Sequence, residues 1–206
     1  MRLYTYSGSA NGYKVELLLA LLDRAHERIE VPIFDGASRT PDFLRKNPAG
    51  RVPVLELDDG TCLPESNAIL WHLARGTAFL PAALAAQDRV IAWLMFEQSE
   101  IEPVIGSARF WLLTGRDADR RDELERRLAW ARGSLAILEG ELAARPFIVG
   151  AAPSIADLAL YAYTHVAGDA GLTLGANVTA WCRRIEGLPG YIAGPGPYDA
   201  LARLRP

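Results

Sequence analysis

Hydrophobic periodicity changes character once along this 206-residue chain, near residue 75. Before that point short β-prone runs alternate with helical stripes; beyond it only helical spacing recurs. Leu3 to Tyr6 reads as a strand. Gly12 to Ala25 reads as a helix, with Val15, Leu18, Leu19 and Leu22 on one stripe and Leu17 and Leu21 beside it. A helix that apolar is expected to lie buried against a sheet. Ile29 to Phe34 alternates again, and Pro41 to Lys46 makes a short helix with proline in its first turn. Val52 to Leu57 and Thr61 to Leu63 are strands around an Asp58-Asp59-Gly60 hairpin turn, and Ser66 to Arg75 is helical. The expected order is β-α-β-α-β-β-α.

In the second half, Val90, Leu94, Ile101, Ile105, Ala108 and Leu112 share one long helix, which Pro103 should kink because it lacks a backbone donor. Leu124, Leu128, Leu135, Leu138 and Leu142 mark another. Its charged run, Arg116 to Arg127, reads as a solvated face with Asp122/Arg126 and Glu123/Arg127 pairs. Ser154 and Asp157 have the spacing of a capping box, and Val178, Trp181, Cys182 and Ile185 stripe a last helix before Pro189-Gly190. The expected class is α/β plus all-α: an α/β domain over residues 1–76, a linker over 77–83 and an all-helical domain over 84–206.

Composition removes several function classes. Half the residues are apolar and the net charge is −3, with neither half basic, so no nucleic-acid or anionic-membrane partner is expected. The longest apolar run, Leu17 to Leu22, is far short of a membrane span, and the first residues read as a strand rather than a signal-peptide core. Cys62 and Cys182 are the only cysteines and form no metal or redox motif. That favours a reducing compartment, and a cytoplasmic location is expected. His26, His72 and His165 show no ligand spacing, so no metal is expected.

Three stretches of the first domain could carry chemistry. The loop Ser7-Gly8-Ser9-Ala10-Asn11-Gly12-Tyr13-Lys14 runs from a strand into a helix, but its glycine and lysine spacing fails the phosphate-loop pattern. What remains is a helix N-terminus offering the Ser9 hydroxyl and the Asn11 amide to an anion, unless either residue simply caps the helix. In Asn47-Pro48-Ala49-Gly50-Arg51-Val52-Pro53-Val54-Leu55, a proline at a seemingly central strand is awkward. A cis Val52–Pro53 bond would leave the Val52 backbone as an edge for an extended peptide; a trans proline at a strand start is the alternative. Ser66 opens a helix with Ile69, not an acid, three residues on. It is either a plain N-cap or a seat for a carboxylate brought from elsewhere.

The motif Asn-Pro-x-Gly-x-Val-Pro-x-Leu at residues 47–55, Glu65-Ser66 ten residues later, and Ser154-Ile155-Ala156-Asp157-Leu158 resemble the cytosolic glutathione S-transferase superfamily. Within it the chain is similar to a bacterial type with a Ser-x-Asn loop and no active-site cysteine. The resemblance implies a thioredoxin-like first domain with glutathione lying along it. Val52, next to cis-Pro53, would pair its backbone with the cysteinyl moiety. Glu65 and Ser66 would hold the γ-glutamyl end, and Arg39 and Arg51 would lie near the glycyl end. A small electrophile would sit between the domains, with Tyr6, Arg109, Phe110 and Trp111 as candidate lining, and a homodimer is implied.

The resemblance also implies that Ser9 or Asn11 meets the glutathione sulfur, with Tyr6 as third choice. A free thiol has a pKa of about 8.5, and lowering it by ~2 units takes ~2.7 kcal/mol. A hydrogen bond to a charged group contributes roughly 1.5–3 kcal/mol and a helix terminus about 0.3–1 kcal/mol. One hydroxyl at a helix start therefore suffices to make a thiolate near neutral pH. Three activities fit: conjugation of glutathione to an electrophile, glutathione-dependent disulfide or peroxide reduction, and a non-catalytic interaction module.

Overall fold

A computed structural model describes residues 1–204. The chain forms two compact units: one is residues 1–73 with the tail from Gly190, the other Ala74–Pro189. The first unit has strands β1 (Arg2–Thr5), β2 (Glu27–Glu30), β3 (Val54–Glu56) and β4 (Cys62–Pro64) in the order β2-β1-β3-β4. β1 and β2 run parallel; β3 is antiparallel to both β1 and β4. Helices α1 (Ala10–Leu21), α2 (Pro41–Lys46) and α3 (Ser66–Ala74) complete the β-α-β-α-β-β-α order of a thioredoxin-like domain.

Several boundaries move for local reasons. Helix α1 starts at Ala10 rather than Gly12, because Ser9 caps it by accepting the Gly12 N–H at 3.1 Å. It ends at Leu21, before Asp23 takes the left-handed φ of +48°. Strand β2 stops at Glu30, ahead of Pro32, and the expected strand end at 33–34 is instead part of a 3-10 turn, Ile33–Asp35. The Val52–Pro53 bond is cis, and strand β3 begins only at Val54, because proline offers no N–H to the ladder. Leu17, Leu18 and Leu19 of α1 are fully buried, as are Leu3 and Leu55 of the sheet.

The second unit is helical, with α4 (Leu84–Phe96), α5 (Ser107–Thr114), α6 (Arg121–Ala143), α7 (Ile155–Thr164) and α8 (Ala176–Glu186). The single kinked helix expected around Pro103 is α4 and α5 joined by a ten-residue π-helical stretch, Glu97–Gly106, with Pro103 inside it. The wider turn accommodates the missing donor. On α6, Arg127 and Glu123 pair at 2.6 Å. Asp157 organises the core of the unit. Its carboxylate accepts the Ile148 N–H at 2.8 Å, the Ser154 N–H and hydroxyl at 2.9 Å each, and the Trp181 indole N–H at 2.9 Å. Segment 77–83, read as a linker, is part of this unit, and the tail from Gly190, read as part of the helical domain, packs with the first unit. Neither segment shows helical or strand periodicity, so only the contacts of the folded chain decide where it lies.

Candidate functional site

Pairing of Tyr4 with Val54 and of Val54 with Pro64 brings three chain segments to one end of the sheet. The Ser7–Ser9 loop leaves β1 there, Val52-Pro53 enters β3 there, and Glu65-Ser66 follows β4 there. The three stretches singled out in the sequence are thus neighbours by topology.

At the start of α3 the backbone is unusual. Glu65 takes a left-handed φ of +70°, and its carbonyl accepts the Ile69 N–H, so Glu65 holds the cap position and Ser66 is the first helical residue. A glutamate in that region is strained, which such sites tolerate where function demands it. Ser66 is 4% exposed and does not act as the N-cap. Its hydroxyl donates to Asn11 Oδ1 at 3.1 Å and accepts from Lys14 Nζ at 3.4 Å. Asn11 therefore ties α1 to α3. Lys14 was not singled out for this place; its side chain is fully buried. The signal was present, since Lys14 shares its helix face with Ala10, Leu17 and Leu18 at helical spacing. A cation on an apolar face is the informative exception to the usual exposure of lysine.

Ser9 is half-buried and caps α1. Capping uses an oxygen lone pair and leaves the hydroxyl proton to be donated, so the capping and anion-binding readings are compatible. Around it the loop is held tightly. Ser7 donates its N–H and hydroxyl to Glu30 at 2.9 and 3.0 Å, and Arg28 bridges Glu30, Glu16 and Ser7. Tyr6 is buried, and its phenol accepts the Asp199 N–H at 2.8 Å. Burial pushes that phenol up to about 12, so it stays protonated.

The 47–55 motif is organised by Asn47. Its side-chain amide donates to the Arg51 carbonyl at 2.8 Å and its oxygen accepts the Ala49 N–H at 3.0 Å. Arg39 is exposed and donates to the Ala49 carbonyl at 2.9 Å, which places it beside this turn; Arg51 is exposed on the turn itself. Val52 lies just outside the ladder that β3 begins at Val54.

The remaining candidates lie in the second unit and have partners there. Arg109 is 4% exposed and pairs with Asp169 at 2.8 Å. Phe110 lies under the Arg116 guanidinium, and Trp111 packs against those of Arg120 and Arg127. Each of the three thus has at least one partner within the unit. Burial pushes the Cys182 thiol up to about 12, which suits a core residue rather than a reactive one. Among the described residues no group of three or more His, Cys, Asp or Glu side chains could hold a metal ion.

Residues 8–75 match the glutathione S-transferase N-terminal domain family and residues 121–184 the C-terminal domain family. A glutathione S-transferase from Pseudomonas fluorescens Pf-5 is 42% identical, with a TM-score of 0.91 over 93% of this chain and 97% of that one. Elongation factor 1-gamma from Homo sapiens is 35% identical over 164 residues, which is 76% of this chain but only 36% of that protein. Ure2p, solved in complex with glutathione, is 27% identical with a TM-score of 0.84, covering 92% of this chain and 95% of that one. With both domains matched and a relative of such identity aligned over nearly its full length, the chain belongs to the glutathione S-transferase family.

Proposed function

We propose that this protein is a glutathione transferase that binds glutathione along the end of its first-unit sheet and ionises its thiol beside Ser9. The observation that carries this reading is the meeting of Ser66, Asn11 and the buried Lys14 at the start of α3, at the same end of the sheet as the Ser9 loop. The α3 start, with a hydroxyl and a buried cationic side chain beside it, suits the γ-glutamyl carboxylate. The Val52 backbone takes the cysteinyl unit, and Arg39 and Arg51 face the glycyl carboxylate. That order sets the sulfur toward the Ser9 hydroxyl. The thiol proton leaves to water, the thiolate sulfur bonds to an electrophilic carbon, and the leaving group departs with its electron pair. Lys14 joins the binding residues; Asn11 serves chiefly to hold Ser66, and Ser9 carries the thiolate role.

Exposed Leu84, Ile91 and Met95 fall on one face of α4, which supports a homodimer. No helix among the described residues is long and apolar enough to cross a membrane, and the free cysteines suit the cytoplasm. The similarity to elongation factor 1-gamma supports a second reading, an interaction module of the same fold without turnover.

Two assays with glutathione separate the readings: conjugation of an aryl halide, and reduction of a hydroxyethyl disulfide. Conjugation that is lost in Ser9→Ala supports the transferase. Disulfide reduction without conjugation makes the protein a reductase, and glutathione binding with neither reaction makes it a module. If glutathione does not bind at all, the site assignment is wrong.

A further inference from the structure

The segment after α8, Gly190 to Asp199, has no helical or strand periodicity, yet it lies along α1 and reaches the Ser9 loop. Tyr13 donates its phenol proton to the Ile192 carbonyl at 2.7 Å. A Cβ placed at Gly194 would stand 2.5 Å from the Tyr13 ring, so only glycine lets the tail pass so close. Further on, the Gly196 N–H donates to the Ser7 carbonyl at 2.8 Å and the Asp199 N–H to the Tyr6 hydroxyl at 2.8 Å. Between these two bonds Tyr198 stacks on Tyr6, with centroids 6.5 Å apart and planes 21° from parallel, and meets Phe34 edge-on. At Gly8 a Cβ would lie 2.7 Å from the Tyr6 ring and 2.9 Å from the Tyr198 ring, so the tail ring rests on the loop backbone.

The loop before Ser9 is therefore gripped from two sides. The Ser7 N–H goes to Glu30 on β2, and the Ser7 carbonyl takes its donor from the tail. Ser9 itself donates its N–H to the Tyr6 carbonyl at 2.9 Å, so motion of Tyr6 or Ser7 is passed directly to Ser9. A hydroxyl that must meet a developing thiolate works best when its backbone is already fixed, because reorganisation then costs nothing at ionisation. We infer that the tail Gly190–Asp199 is a strap that positions Ser9 for thiol ionisation, with Tyr198 and Tyr6 as positioning residues that do not touch the sulfur. The inference rests on the reading of Ser9 as the thiolate donor.

The test uses the full chain in three variants: Tyr198→Ala, Tyr198→Phe, which keeps the ring, and Gly194→Leu, which lifts the tail from Tyr13. Three quantities are read: amide hydrogen exchange at Ser9 and Gly12, the affinity for glutathione, and the pKa of the bound thiol. In Tyr198→Ala and Gly194→Leu, exchange at Ser9 and Gly12 should speed up about tenfold. The bound thiol pKa should rise by roughly 0.5–1 unit while glutathione affinity changes less than about twofold. Tyr198→Phe, which keeps the ring on Tyr6, should stay much closer to the wild type than Tyr198→Ala. Faster exchange within residues 190–199 with an unchanged thiol pKa overturns the inference and leaves the tail a mere cover. If the wild type binds no glutathione, the proposed function fails separately, and exchange at Ser9 and Gly12 still decides whether the tail holds the loop: no change on displacing it overturns the strap.

Discussion

Helices α7 and α3 both carry a serine at their start, and the two starts are built for opposite purposes. Ser154 at the start of α7 is answered from within its own helix. Asp157, three residues on, accepts both its N–H and its hydroxyl, and the same carboxylate takes two further donors from Ile148 and Trp181. Ser66 at the start of α3 has Ile69 in the corresponding place, and its hydroxyl is met from α1 by an amide oxygen and a lysine. The first is a closed arrangement whose anion is part of the chain, and its effect is stability. The second places a lysine and a hydroxyl beside a helix N-terminus that has no acid of its own three residues on. A helix start with its own carboxylate is structural; one equipped to attract a carboxylate is where to look for binding.

The sharpest way to break this contrast is to remove the anion from the closed start. Asp157→Ala leaves four buried donors without their acceptor and should cost about 3–5 kcal/mol, seen as a large loss in chemical denaturation. Glutathione affinity of the molecules still folded should be unchanged. A loss below about 1 kcal/mol would mean the closed start is not structural.

The open start should respond in the reverse sense. Lys14→Met removes the ammonium that meets Ser66, so glutathione affinity should drop by roughly 10- to 100-fold, a larger effect than any on stability. Calorimetric titration reads this directly, and an equal loss of stability and affinity would make Lys14 structural. Ser66→Ala is the milder change. It removes one hydroxyl and should weaken glutathione about five- to tenfold, with under about 1.5 kcal/mol lost in stability.

The smallest effect concerns the loop. Burial pushes the Glu30 carboxyl up, but the Ser7 N–H, Arg28 and the Ser7 hydroxyl outweigh it and hold Glu30 below the ordinary carboxylate range. Its contribution is therefore present above the unfolded carboxylate pKa and is lost as pH falls through the lower folded value. Because Glu30 is substantially exposed, Glu30→Gln should cost only a few tenths of a kcal/mol near neutrality. That difference should vanish in acid, and a difference that grows as pH falls would contradict the assignment.

Much of this was legible in the sequence because it is local. The order of elements follows from periodicity, the α7 capping box from two residues three apart, and the 47–55 motif from Asn47 and its own turn. What escaped is long-range. Lys14 faces α3 because the fold turns that side of α1 inward, and a lone lysine is ordinarily taken as exposed. Ser66 reads as a cap until Glu65 takes that position through a left-handed backbone. Tyr6 and Asp199 stand 193 residues apart and meet through a backbone N–H, which leaves no trace in side-chain pattern. The candidates Arg109, Phe110 and Trp111 show the reverse. Their chemistry stands out in sequence, while their contacts with Asp169, Arg116, Arg120 and Arg127 do not.

The central claim, that the Ser9 loop makes a thiolate of glutathione bound at the open helix start, is tested most directly by titrating the ultraviolet absorbance of bound glutathione against pH. In the wild type its thiol should ionise about 2 units below the ~8.5 of a free thiol, and in Ser9→Ala most of that shift should be gone. A bound thiol that ionises at the free value in the wild type would contradict the account.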